Sequence, residues 1–99
     1  MNVEFDPDKD RANVEKHGVS LHRAEDIDIA LVVEDARFDY GETRYRAFGF
    51  IGEEAYCLVF TVRDGTVRAI SLRRASDKEM ERYVGTKESR DRPGKSRVD

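Results

Sequence analysis

The 99 residues are 38% hydrophobic and 39% charged, with no tryptophan and a net charge of −3, which allows one modest core and leaves no room for a second. No apolar run approaches the roughly 18 residues of a membrane span, and the opening MNVEFDPD has no basic segment followed by an apolar one, so neither a span nor a secretory signal is expected. The single cysteine, Cys57, cannot form an internal disulfide, which suits a reducing cytoplasm.

In chain order, VEF reads as a short first strand. Asp6-Pro7 opens a helix, with a side-chain acceptor at the cap and proline in the first turn. That helix should run from Pro7 to His17 and stop at Gly18, a residue able to turn left-handed. Its only evident apolar members are Ala12 and Val14, so it lies on the surface and leaves Lys16 and His17 accessible. Ser20 can cap a second helix, in which Leu21, Ala24, Ile27 and Leu31 make one apolar stripe. A strand begins at LVVED, and FDYGET is a turn.

TRYRAFGFI alternates, with Tyr45, Ala47, Gly49 and Ile51 on one side and Arg44, Arg46, Phe48 and Phe50 on the other. AYCLVFTV is apolar on both faces, as a central strand would be, and buries Cys57. Asp64-Gly65 is a two-residue hairpin signal. A tight closure pairs Arg63 with Thr66, Thr61 with Arg68, Leu58 with Ser71 and Tyr56 with Arg73. Ser71 would then pack within the sheet. Ser76 or Asp77 caps a short helix, DKEMERYV, and the polar stretch from Gly85 to Asp99 reads as a disordered tail. The expectation is therefore one α+β domain over residues 1–84, with two N-terminal helices on one face of an antiparallel sheet. The other face should be open.

Charge is unevenly spread. Residues 1–62 carry 7 basic and 14 acidic groups, a balance of −7, whereas 63–74 (RDGTVRAISLRR) carry four arginines against one aspartate, +3. Such a cluster can hold phosphate within an acidic whole, or simply guard a strand edge. Lys16 and His17 at a helix C-terminus are favourable in their own right, and that position favours a protonated ring. His17 and His22 are five apart across a glycine break and lack a third partner, which argues against a metal site.

The order of elements resembles the BrnT family, ribonuclease toxins of bacterial toxin–antitoxin pairs related in fold to the RelE/ParE toxins. So do F-D-P at Phe5 to Pro7, Asn13 followed by Lys16-His17-Gly18-Val19, G-E-T-R-Y around Arg44, F-T-V-R at Phe60 to Arg63 and I-S-L-R-R-A at Ile70 to Ala75. The resemblance implies RNA cleavage without a metal or other cofactor. It also implies an antitoxin partner that is BrnA-like and DNA-binding, with operator DNA reached only through that complex.

Such cleavage needs a base for the 2′-hydroxyl, an acid for the leaving 5′-oxygen and cations for the phosphorane. Lys16 or His17 could move the proton, while Arg63, Arg73 and Arg74 suit phosphate, because guanidinium binds two oxygens at once. Arg44, Arg68 and Tyr83 are candidate substrate contacts, and Glu42 and Tyr83 are weaker candidates for moving the proton. Arg44 and Arg46 also fit a solvated strand face paired with Glu42. Arg73 and Arg74, as strand neighbours, must point to opposite faces. The competing readings are a non-catalytic module that partners a DNA-binding protein, and an attack on gyrase as in the ParE branch.

Overall fold

The computed structural model describes residues 1–37 and 39–85. The elements are β1 (Val3–Glu4), α1 (Pro7–His17), a 3-10 turn (Leu21–Asp26), β2 (Asp28–Asp35), β3 (Arg44–Ile51), β4 (Glu54–Arg63), β5 (Thr66–Arg74) and α2 (Asp77–Tyr83). The five strands form one sheet in the order β1-β5-β4-β3-β2. All neighbours are antiparallel except β1, which runs parallel to β5 through Val3↔Val67 and Glu4↔Arg68. The fold is thus α+β with a mixed sheet, not the antiparallel one expected.

The second helix is also corrected. A 3-10 turn ends at Asp26 and the strand already begins at Asp28. Ile27 and Leu31 are four apart, a spacing that serves a helical stripe and an alternating strand equally well. The β-branched residues Ile29, Val32 and Val33 favour the strand. β2 meets β3 tightly at Gly49, where a Cβ would come within 2.2 Å of the Asp28 carbonyl oxygen.

The turn at Asp64 and Gly65 has φ of 51° and 78°, the doubly left-handed geometry of a two-residue hairpin. Arg63↔Thr66 and Thr61↔Arg68 pair as expected. Beyond them the register shifts at Val59/Phe60, so Phe60 faces Ala69 and Val59 faces Ser71, leaving Ile70 as the extra residue of a bulge. As a result Leu58 faces Leu72 and Tyr56 faces Arg74, one position beyond the uncorrected pairing.

Apolar clusters lie on both faces. On one, Leu21 and Ala24 of the 3-10 turn pack with Ala47, Ile51, Tyr56, Leu58, Phe60, Ala69 and Leu72. On the other, Met80 of α2 packs with Phe48, Cys57 and Ala75, flanked by Tyr83. The face expected to be open is therefore partly covered by α2. Cys57 is fully buried, as expected, and desolvation raises its thiol pKa. Ser76 caps α2 in a reciprocal capping box with Glu79, and Gly85 closes it by donating to the Met80 carbonyl. The expected tail otherwise falls on residues 86–99, outside the described residues.

Candidate functional site at the seam of α1 and β5

β1 is two residues long and covers only Val67 and Arg68 of β5. Beyond it, α1 takes over the strand's edge. The helix starts where Asp6 accepts from the Asp8 amide at 2.8 Å with Pro7 in its first turn, and it ends at Gly18, φ 74°, whose amide donates to Val14 at 2.8 Å. Its one buried residue is Asn13. The Asn13 amide donates to the carbonyls of Leu72 (2.8 Å) and Val19 (2.9 Å), and its oxygen accepts from the Leu72 amide at 3.1 Å. One side chain thus plays the part of a neighbouring strand for the Leu72 peptide. Asp10 fixes the next turn by accepting from the Ser20 hydroxyl and the Leu21 amide.

With Asn13 as the pivot, the same helical face carries Lys9, Ala12, Lys16 and His17. Together with Ile70 and Ser71 of the bulged strand they line a pocket of about 210 Å³. Among the described residues Lys9 and Lys16 stand in no ion pair. The pKa of His17 is lowered, first by desolvation and then by the nearby charges of Lys16 and Arg73. The shift runs against the helix-end argument for a protonated ring and favours the neutral form, which can accept a proton.

The hairpin arginines other than Arg74 face the α2 side of the sheet. The Phe48↔Cys57↔Arg73 and Arg46↔Val59↔Ser71 rows, with Thr61↔Arg68 and Arg63↔Thr66, align Arg44, Arg46, Arg63, Arg68 and Arg73 on that face. Most are matched by carboxylates. Arg73 makes a two-pronged bond to Glu79 of α2, both distances 2.8 Å, which holds the Glu79 carboxyl down at about 2. Arg63 (3.0 Å) and Arg44 (3.7 Å) share Glu42, and Arg68 lies 3.5 Å from Glu4. Paired with Arg63 first and Arg44 second, Glu42 is held below its ordinary value and so makes a poor proton carrier.

Arg74 points to the opposite face, over Tyr56 and 3.0 Å from Glu54. Tyr83 stacks on Phe48, ring centroids 4.7 Å apart. Of the eight residues singled out by sequence, Lys16 and His17 share the pocket and Arg73 acts on it electrostatically. Toward the turn, Arg63 lies about 20 Å and Arg44 about 13 Å along the hairpin from Arg73 at ~3.3 Å per residue.

Lys9 and Asn13 were missed as site residues. Their signal was the i, i+4, i+7 spacing of Lys9, Asn13 and Lys16 on an otherwise polar helix. Among the described residues no group of three or more His, Cys, Asp or Glu is arranged to hold a metal ion; the ionisable side chains lining the pocket are those of Lys9, Lys16 and His17. A protein-family model described as "Ribonuclease toxin, BrnT, of type II toxin-antitoxin system" matches residues 5–79. No curated protein and no solved structure matches the chain.

Proposed function

The chain belongs to the BrnT family of type II toxin–antitoxin ribonuclease toxins, and from that premise we propose that it is a metal-independent endoribonuclease whose centre is the seam between α1 and β5. The observation that carries this reading is the pocket in which His17, its pKa lowered, stands beside Lys9 and Lys16, which make no ion pair among the described residues. In the proposed reaction His17 takes the 2′-hydroxyl proton and the 2′-oxygen attacks phosphorus. The bond to the 5′-oxygen then breaks, and the Lys16 ammonium protonates the leaving group. A cyclic phosphate and a free 5′-hydroxyl result. Lys9 and Lys16 stabilise the extra charge on phosphorus, with Arg73 adding to the field from the sheet.

On this reading the sheet and its flanking helices are a variant of the RelE/ParE-like arrangement. The protein acts in the cytoplasm by cutting RNA and so inhibiting translation, and a BrnA-like, DNA-binding antitoxin neutralises it. No described helix is long and apolar enough to cross a membrane. Purified protein given a defined RNA in excess chelator should cleave it, and His17→Gln should lower the rate at least about tenfold, the low end of what a positioned acid–base group contributes.

One observation favours the second reading, a non-catalytic partner or corepressor of a DNA-binding protein. Arg44, Arg63, Arg68 and Arg73 are all matched by carboxylates, which weakens the sheet face as an anion site. Folded parent protein that binds its antitoxin but leaves RNA intact would establish that reading instead.

A further inference from the structure

Eight of the ten arginines among the described residues stand in an ion pair with Asp or Glu. The two that do not are Arg46 and Arg82. They come from β3 and α2, far apart in sequence, yet both guanidiniums lie against one ring: Arg46 is 5.2 Å and Arg82 5.5 Å from the centroid of Tyr83. The ring is itself held by its stack on Phe48, with an interplanar angle of 11°. Arg46 also lies 5.8 Å from the Phe48 ring, and its Nε is buried without a hydrogen-bond partner. Both charges are held against the Tyr83 ring, and neither is matched by a carboxylate among the described residues. An aromatic face attracts a guanidinium without occupying its N–H donors. An anion would complete the arrangement.

We propose that Arg46, Arg82 and Tyr83 form a phosphate-binding subsite for single-stranded RNA, separate from the bond being cut. The proposal rests on the ribonuclease reading for its ligand class, and its position fits that ligand. Arg46, Val59 and Ser71 form one row across β3, β4 and β5, and Ser71 lines the pocket beside His17. None of the three is fully buried. Two strand spacings of about 4.8 Å put the subsite about 10 Å from the pocket, a length covered by about three stacked nucleotides at ~3.4 Å each. Arg46 on β3 lies within the segment matched by the family, and Arg82 and Tyr83 on α2 lie beyond it.

The test measures binding apart from cleavage. A fluorescently labelled, fully 2′-O-methylated single-stranded oligoribonucleotide, which lacks the attacking hydroxyl, is titrated at several salt concentrations with the full chain. Three proteins are compared: the parent, Arg46→Gln/Arg82→Gln, and the control Arg11→Gln/Arg23→Gln, which loses the same charge from ion-paired positions elsewhere. The subsite variant should bind at least about tenfold more weakly, and its log-affinity slope against log salt should flatten by about 0.7, the contribution of one neutralised phosphate on a single strand. The control should stay within about twofold of the parent on the same electrostatic argument. Equal affinities and slopes for the two double variants, or no binding by the parent, would overturn the subsite. Should the glutamine pair unfold, Arg82→Gln on the exposed side of α2 carries the test alone, and an unchanged affinity then overturns it. A parent that binds the oligonucleotide but cuts no RNA removes the ribonuclease reading and leaves the subsite standing.

Discussion

Asn13 on α1 and Leu72 on β5 exchange hydrogen bonds in both directions, amide to carbonyl and amide to side-chain oxygen. A helix side chain thereby finishes the edge of a strand whose true neighbour, β1, stops after two residues. The pair is buried, with Asn13 only 6% exposed, so each group left unmatched would cost about 1–3 kcal/mol. Asn13→Leu should destabilise the domain by about 2–4 kcal/mol on that basis. Asn13→Asp should be no better, since it turns the donor to the Leu72 and Val19 carbonyls into an acceptor. Urea unfolding of both variants measures this; a loss within error of zero would show that the seam does not depend on the bond pair.

The Arg73–Glu79 bond makes stability depend on acid. Glu79 titrates at about 2 when folded against an ordinary value of 4.5. Its contribution is therefore complete above 4.5 and is lost as pH falls toward 2, because the unfolded chain takes up the proton first. Both side chains are partly solvated, which limits the effect to the order of 1–2 kcal/mol. Glu79→Gln should lower stability at pH 7 and flatten its decline in that window. Parallel stability curves for parent and variant would contradict this.

Two glycines should respond differently to alanine. At Gly18 a Cβ meets nothing within 4 Å and only the positive φ opposes it, which costs about 1 kcal/mol. At Gly49 the added carbon runs into the Asp28 backbone, where only movement of β2 can relieve it. Thermal melts should therefore rank Gly49→Ala well below Gly18→Ala. Gly18→Val should be worse than Gly18→Ala, since a branched side chain tolerates positive φ least.

His17 should set the acid limb of cleavage. Its pKa lies below the ordinary 6.5, so the base form already predominates at pH 7 and the rate should fall on acidification. For stability the sign follows from the same shift. Between the folded and unfolded values only the unfolded chain holds the proton, so stability rises with pH there. In a pH–rate profile, His17→Gln should remove the acid limb; a limb unchanged by the substitution would assign it to another group.

Local chemistry announced much of this fold. The Asp64-Gly65 turn, the alternation through β3, the Asp6-Pro7 start and Gly18 stop of α1, and the burial of Cys57 could each be read from neighbouring residues. What failed depended on partners far along the chain. The bulge at Ile70 has no sequence mark, yet it sends Arg74 toward Tyr56 and Arg73 toward Glu79. Ile27 and Leu31 satisfy two periodicities at once. The helix-end argument put a proton on His17 because it counted α1 alone, without desolvation at the seam or the charge of Arg73. Lys16 and His17 could be picked out as candidates, but their convergence with Lys9 on a strand edge is a tertiary fact.

The most direct test of the central claim is the rate at which purified, folded protein cuts a defined RNA in excess chelator, with Lys16→Met and His17→Gln assayed beside the parent. The account predicts a parent that cleaves to a cyclic phosphate and a free 5′-hydroxyl. Both variants should melt like the parent and cut at least about tenfold more slowly. Parent-like rates in both variants, or cleavage by the parent that stops when metal is chelated, would contradict it.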